Sequence, residues 1–156
     1  MSPALLSNAQ RLVKLAEGFR SKPYRCPARF LTIGYGHNLD AAPLTIVLTK
    51  PLSDGITEAQ ASEQLAYDMN VSWQELVKHL PWIKSLDEVR QFVLWDMNFN
   101  MGWSVFQKFK ATLRFAKDHA YSLCAEQMKR SLWYRQTGNR ARRNVHMMLT
   151  GEWALR

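Results

Sequence analysis

Cysteine is scarce in this chain: Cys26 and Cys124 are its only two among 156 residues. A single pair excludes a disulfide scaffold, and both read as free thiols. Long apolar runs are missing too. No stretch approaches the roughly 18 residues of a membrane span. Residues 1–6 give way to Asn8, Gln10, Arg11 and Lys14, without the apolar core of a signal peptide. The expectation is a protein held in the cytoplasm until something else releases it. Repeats, low-complexity tracts and flexible linkers are also lacking, and 47% hydrophobic residues suffice to bury about two-thirds of the unfolded surface of one domain. Acidic residues are outnumbered 13 to 21, for a net charge of +8. After Met128, Lys129, Arg130, Arg135, Arg140, Arg142, Arg143 and Arg156 stand against Glu152 alone. That balance points to an anionic partner: nucleic acid, anionic lipid or an acidic wall polymer.

What is present reads as an α+β chain. Ser7-Asn8-Ala9-Gln10 has the pattern of a capping box. Leu5, Leu12, Leu15, Ala16 and Phe19 recur at helical steps, and Gly18 stops the helix near Glu17. From Lys22 to His37 the pattern changes to Tyr, Phe, Ile and Gly around Pro27-Ala28-Arg29, predicting two strands and a short loop. With a three-residue loop, Cys26 faces Phe30, and Thr32 lies diagonally on the same face, roughly 7 Å away. The run Leu44–Leu48 reads as a strand. Thr57-Glu58-Ala59-Gln60 is a second capping box, opening a helix of about 23 residues, roughly 34 Å long, that ends before Pro81. Ser85-Leu86-Asp87-Glu88 opens a third helix, apolar on nearly every side as in the centre of a bundle, that ends at Gly102. Phe106, Phe109 and Leu113 carry another. Asp118 caps one running to about Tyr134, and a last helix covers Asn139 to Thr150. The expected layout is a small lobe over about 1–56, a connecting helix over about 57–80, and a helical lobe over about 81–156.

Several residues could carry chemistry. Glu17 sits in the last turn of its helix, where the negative end of the dipole favours the protonated form that a general acid needs. Position alone favours a solvated glutamate beside a C-cap glycine. Cys26 reads by default as a small hydrophobe, Thr32 as a strand residue, and His37 as a structural hydrogen-bonder with Asp68 as partner. Thr32 to Gly36 spells a potassium-filter-like Thr-Ile-Gly-Tyr-Gly, but the membrane helices such a filter needs are missing. The basic C-terminal residues interleave with Trp133, Tyr134 and Trp153, as in nucleic-acid binding. No specific nucleic-acid motif accompanies them, and no nucleic-acid partner is expected.

Taken in order, Glu17-Gly18-Phe19-Arg20, Thr32-Ile33-Gly34-Tyr35-Gly36-His37, Ser85-Leu86-Asp87-Glu88-Val89-Arg90, Phe99-Asn100-Met101-Gly102, Trp133 to Ala141, and Thr150-Gly151-Glu152-Trp153 resemble the bacteriophage lysozymes of the T-even type, glycoside hydrolase family 24. The resemblance implies a lysozyme-like fold: a small lobe with a β-hairpin, joined by a long helix to an all-helical lobe. It implies hydrolysis of the β-1,4 bond between N-acetylmuramic acid and N-acetylglucosamine in peptidoglycan by a monomer without metal or cofactor.

The catalytic set it implies is Glu17, Cys26 and Thr32, with cysteine where the T-even enzyme has aspartate. Glu17 would be the general acid, and Cys26 and Thr32 would position a water; a thiolate nucleophile at Cys26 is the competing version. Asn38, Phe99, Thr112 and Gln127 fall where relatives contact the sugar chain, Phe99 through its backbone. Arg140 would approach Glu17, Trp133 and Asn100 would line or brace the cleft floor, and His37 with Asp68 would form a structural salt bridge. The positive charge would serve attraction to peptidoglycan carboxylates and, through the basic C-terminal helix, to an anionic outer membrane. Release through a holin-type lesion would let it lyse the host. A catalytically dead wall- or nucleic-acid-binding module on the same fold is the rival reading.

Overall fold

A computed structural model describes residues 1–155, so Arg156 lies outside the described residues. Helix α1 spans Pro3–Glu17. The capping box expected at Ser7 is not its start. Ser2 accepts from the Leu5 N–H at 3.0 Å, and Pro3 takes the first helical position, where its missing N–H costs nothing. Leu5, Ala9, Leu12 and Val13 form the buried stripe of α1, at the spacing one helix face requires.

Three antiparallel strands follow in sheet order: β1 at Arg20–Arg25, β2 at Leu31–Gly34 and β3 at His37–Asn38. The stretch Leu44–Leu48 forms no strand. Pro43 precedes it, and the Thr45 N–H and hydroxyl both donate to Gln64 Oε1 at 2.8 and 3.1 Å. Ile46 is buried while Val47 is 82% exposed. A side chain, not a neighbouring strand, satisfies that backbone.

Helix α2 covers Glu58–His79. Its capping box is reciprocal: Gln60 N–H donates to Thr57 Oγ1 at 3.1 Å, and Thr57 N–H donates to Gln60 Oε1 at 2.9 Å. Helix α3 covers Glu88–Met101, with Asp87 as its N-cap. Residues 92–98 of α3 are all buried, as a bundle-centre helix requires. Beyond Gly102 the chain is more finely divided than expected. Helix α4 is Trp103–Phe106 and α5 is Lys110–Lys117. Asp118 closes α5 instead of opening the next helix, and α6 is Tyr121–Arg130. Ser131 accepts from Tyr134 N–H at 3.1 Å and so starts α7, Leu132–Thr137. Helix α8 is Asn139–Thr150.

The described residues divide into two compact units, Gln10–Val71 and Met1–Ala9 with residues 72–155. In the first, the sheet packs on the early turns of α2, with Gly34 so close to Ala61 that a Cβ there would come within 3.2 Å of the Ala61 methyl. In the second, Trp95 of α3 meets Trp73 edge-on at 5.3 Å and Phe92 lies 5.4 Å from Trp153. Among the described residues no helix is long and apolar enough to cross a membrane.

Candidate functional site

The β1–β2 hairpin has the expected register. Tyr24 pairs with Thr32 and Arg25 with Leu31, and Cys26 N–H donates to Phe30 C=O at 3.0 Å. The loop Pro27-Ala28-Arg29 closes through Arg29 N–H to Cys26 C=O at 2.7 Å, with Arg29 at φ 66°. Three-residue hairpin loops place a left-handed residue at that position.

Alternation along the strands then separates packing from chemistry. Ile33 and its cross-strand partner His37 belong to one face. There His37 Nδ1 lies 2.8 Å from Asp68 Oδ2, its Nε2 lies 3.0 Å from Ala42 C=O, and Gln64 Nε2 donates to Asp68 Oδ1 at 2.9 Å. This is a brace between sheet and helix. Tyr24, Cys26, Thr32 and Asn38, which pairs with Thr32, share the opposite face.

Thr32 is buried and its hydroxyl donates to Phe30 C=O at 2.9 Å. Burial pushes the half-exposed Cys26 thiol upward, but hydrogen bonds from Phe30 N–H, the Thr32 hydroxyl and Ala28 N–H outweigh it and leave the thiol below its ordinary value. The Thr32 hydroxyl has one proton and two lone pairs. That proton is directed to Phe30 C=O, and the lone pairs remain free to accept.

Glu17 comes to this sheet from the end of α1. Gly18 N–H closes the helix on Lys14 C=O at 2.9 Å, and Gly18 turns out of it at φ 70°. The half-buried Glu17 carboxylate rests against Gly36 in the turn between β2 and β3. A Cβ at Gly36 would lie 2.9 Å from Glu17 Oε2, so this position needs glycine for the approach as well as for its φ of 86°. The charges of Glu17 and Cys26 both act on Tyr24. Burial raises its phenol, Arg20 lowers it, and the charges of Glu17 and Cys26 raise it further, leaving it above the ordinary value. Glu17 thus meets the sheet at the β2–β3 turn, Cys26 stands where β1 enters the β1–β2 loop, and Thr32 lies on β2 between these two positions. Asn38 beside them is partly engaged, its Oδ1 accepting from the N–H groups of Asp40 and Ala41 at 3.0 and 3.1 Å.

The remaining expected residues lie in the helical unit. Trp133 Nε1 donates to Asn100 Oδ1 at 3.0 Å. Phe99 lies in the last turn of α3, where carbonyls lack intrahelical partners. Thr112 and Gln127 line a groove of about 310 Å³ with Lys108, Lys110, Arg130 and Ser131. Arg140 is buried against Asp96, donating through Nη2 to Oδ1 at 2.7 Å and through Nε to Oδ2 at 3.0 Å, while Asn144 Nδ2 donates to Asp96 Oδ2 at 2.6 Å. Burial raises the Asp96 carboxyl, but Arg140 and Asn144 hold it below the usual carboxylate range. Sequence reasoning missed Asp96; its signal was an acid in the middle of an otherwise apolar helix. Of the three arginines of α8, Arg142 is exposed and Arg143 half-buried.

Comparison with known proteins gives a consistent neighbourhood. The phage lysozyme family model matches residues 14–146. The chain is 27% identical over 164 residues to the probable T4-type lysozyme 1 of Dictyostelium discoideum, covering 94% of this chain and 96% of that protein. It is 28% identical over 156 residues to the pre-baseplate central spike protein Gp5 of Enterobacteria phage T4, covering 90% of this chain but 27% of the spike protein.

Proposed function

Because the chain belongs to the phage lysozyme family, and is by that membership a lysozyme and glycoside hydrolase, we propose that it is a muramidase cutting the β-1,4 bond between N-acetylmuramic acid and N-acetylglucosamine with Glu17, Cys26 and Thr32. Glu17 protonates the glycosidic oxygen as an oxocarbenium-like centre develops at the sugar carbon. Cys26 and Thr32 hold the attacking water, the thiolate accepting its proton as the carbon–oxygen bond forms and the sugar configuration inverts. The observation that supports this reading is that Cys26 and Thr32 share one face of the sheet whose β2–β3 turn carries the Glu17 carboxylate.

Asn38, Phe99, Thr112 and Gln127 contact the saccharide, with Arg140 and the Trp133–Asn100 bond as support. Biologically, the protein acts as a phage endolysin: a monomer that waits in the host cytoplasm, passes a holin-type lesion and lyses the cell. Contact with an anionic outer membrane through α8 rests chiefly on Arg142, the arginine of that helix at the surface.

Clearing of a purified peptidoglycan suspension tests the catalytic assignment. Wild type clears it, and Glu17→Gln slows clearing by roughly 100- to 10,000-fold, the usual contribution of a general acid. Equal clearing by the two proteins would remove Glu17 from the mechanism.

A further inference from the structure

Tyr24 is the residue of this sheet face to which nothing above gives a task. Its cross-strand partner is Thr32, and directly opposite residues share a face. Cys26, two positions on, shares it as well. The ring is held from one side by Arg20, whose guanidinium lies 4.5 Å from the ring centroid. Tyr35 and Tyr121 give their hydroxyls partners in Glu58 and His119. The half-buried Tyr24 hydroxyl has no such partner among the described residues.

Resting on the muramidase reading, we propose that Tyr24 is a substrate-contacting residue of this site, its phenol donating a hydrogen bond to a hydroxyl or acetamido oxygen of the bound sugar while Arg20 fixes the ring. The chemistry suits that task. Burial, followed by the neighbouring Glu17 and Cys26 charges, outweighs Arg20 and keeps the phenol protonated beyond its ordinary range, so it remains a donor throughout the neutral range. A sugar presents hydroxyl and carbonyl oxygens that can accept, and its C–H faces lie well against an aromatic ring. Were Tyr24 instead a strut of the hairpin, its ring alone would matter and its hydroxyl would be idle.

The test separates ring from hydroxyl. With peptidoglycan as substrate, Tyr24→Phe is expected to raise KM and lower kcat/KM roughly three- to tenfold, the worth of one net hydrogen bond. The thermal midpoint and the limbs of the pH profile stay where they are. In a Glu17→Gln background, where no turnover interferes, the same Tyr24→Phe change weakens binding of a soluble N-acetylglucosamine oligomer by a similar factor in a titration. Arg20→Gln does so more weakly. Tyr24→Phe indistinguishable from the parent in both measurements overturns the proposal, as does a shifted pH limb with KM unchanged, which would place the hydroxyl on Cys26 or Glu17 and not on the sugar. Failure of wild type itself to release new reducing ends would strike the muramidase reading, and the oligomer titration would still judge Tyr24.

Discussion

The two thiols show how environment divides identical side chains. Cys26 is half-exposed and held below the ordinary thiol range by donors that stabilise its anion. Cys124 is buried and pushed up to about 12. Because the thiolate is the reactive form, iodoacetamide should label the native protein once, at Cys26, with half-maximal rate below pH 9; Thr32→Val should move that midpoint upward, and mass spectrometry of tryptic peptides reads both. Gly36 carries a second prediction. Gly36→Ala sets a methyl against the Glu17 carboxylate and strains a φ of 86°. Displacing a catalytic group by about 1 Å costs up to a hundredfold, so lytic rate should fall roughly tenfold to a hundredfold, while the strain takes about 1–2 kcal/mol from stability in urea titration. That Cys26 and Thr32 share a face was legible because hairpin register follows from loop length. Tyr24 was passed over because an aromatic in a strand is ordinary, and only the register shows which face it shares.

At the scale of elements, the sheet is tied to α2 by His37 and Asp68. Burial lowers His37, but its hydrogen bond and charge pairing with Asp68 and its bond to Ala42 outweigh that and raise it above 6.5. A raised folded value means the contribution to stability is complete below about pH 6.5 and disappears as pH climbs through the raised value. The thermal midpoint should therefore fall from pH 6 towards pH 8, and His37→Asn should flatten that slope; an unchanged slope would contradict it. Within the helical unit, Asp96 ties α3 to α8 through Arg140 and Asn144. Asp96→Ala leaves Arg140 buried without that carboxylate and should cost about 3–5 kcal/mol in denaturant unfolding. Helix periodicity located α2, α3 and α8 and the end of α1, because each has an apolar stripe; it missed the start of α1, which Ser2 caps. It failed between Phe106 and Tyr134, where α4 to α7 span 4 to 10 residues and one stripe runs into the next. The Ser131 cap was present in the sequence but was subsumed in a longer helix. The Leu44–Leu48 run misled for another reason: its backbone is paid for by the side chain of Gln64, a partner that strand periodicity does not reveal.

For the molecule as a whole, the charge of +8 sets how it meets its substrate. On the proposed function, attraction to peptidoglycan carboxylates would raise the encounter rate and would be screened over about 8–10 Å at ordinary salt. The family and the α+β class were legible from ordered motifs spread along the whole chain, more specific together than any one of them. The distribution of the charge was less legible: the sequence counts Arg140 among seven basic residues after Met128 without showing that it is buried on Asp96. The measurement that decides the account is proton NMR of the first sugar products released by wild-type protein from purified peptidoglycan. In the proposed mechanism a water held by Cys26 and Thr32 attacks opposite the departing oxygen, so the new reducing end should appear first as the α-anomer. Initial appearance of the β-anomer would demand a covalent intermediate on Cys26, and the absence of any new reducing end would contradict the assignment altogether.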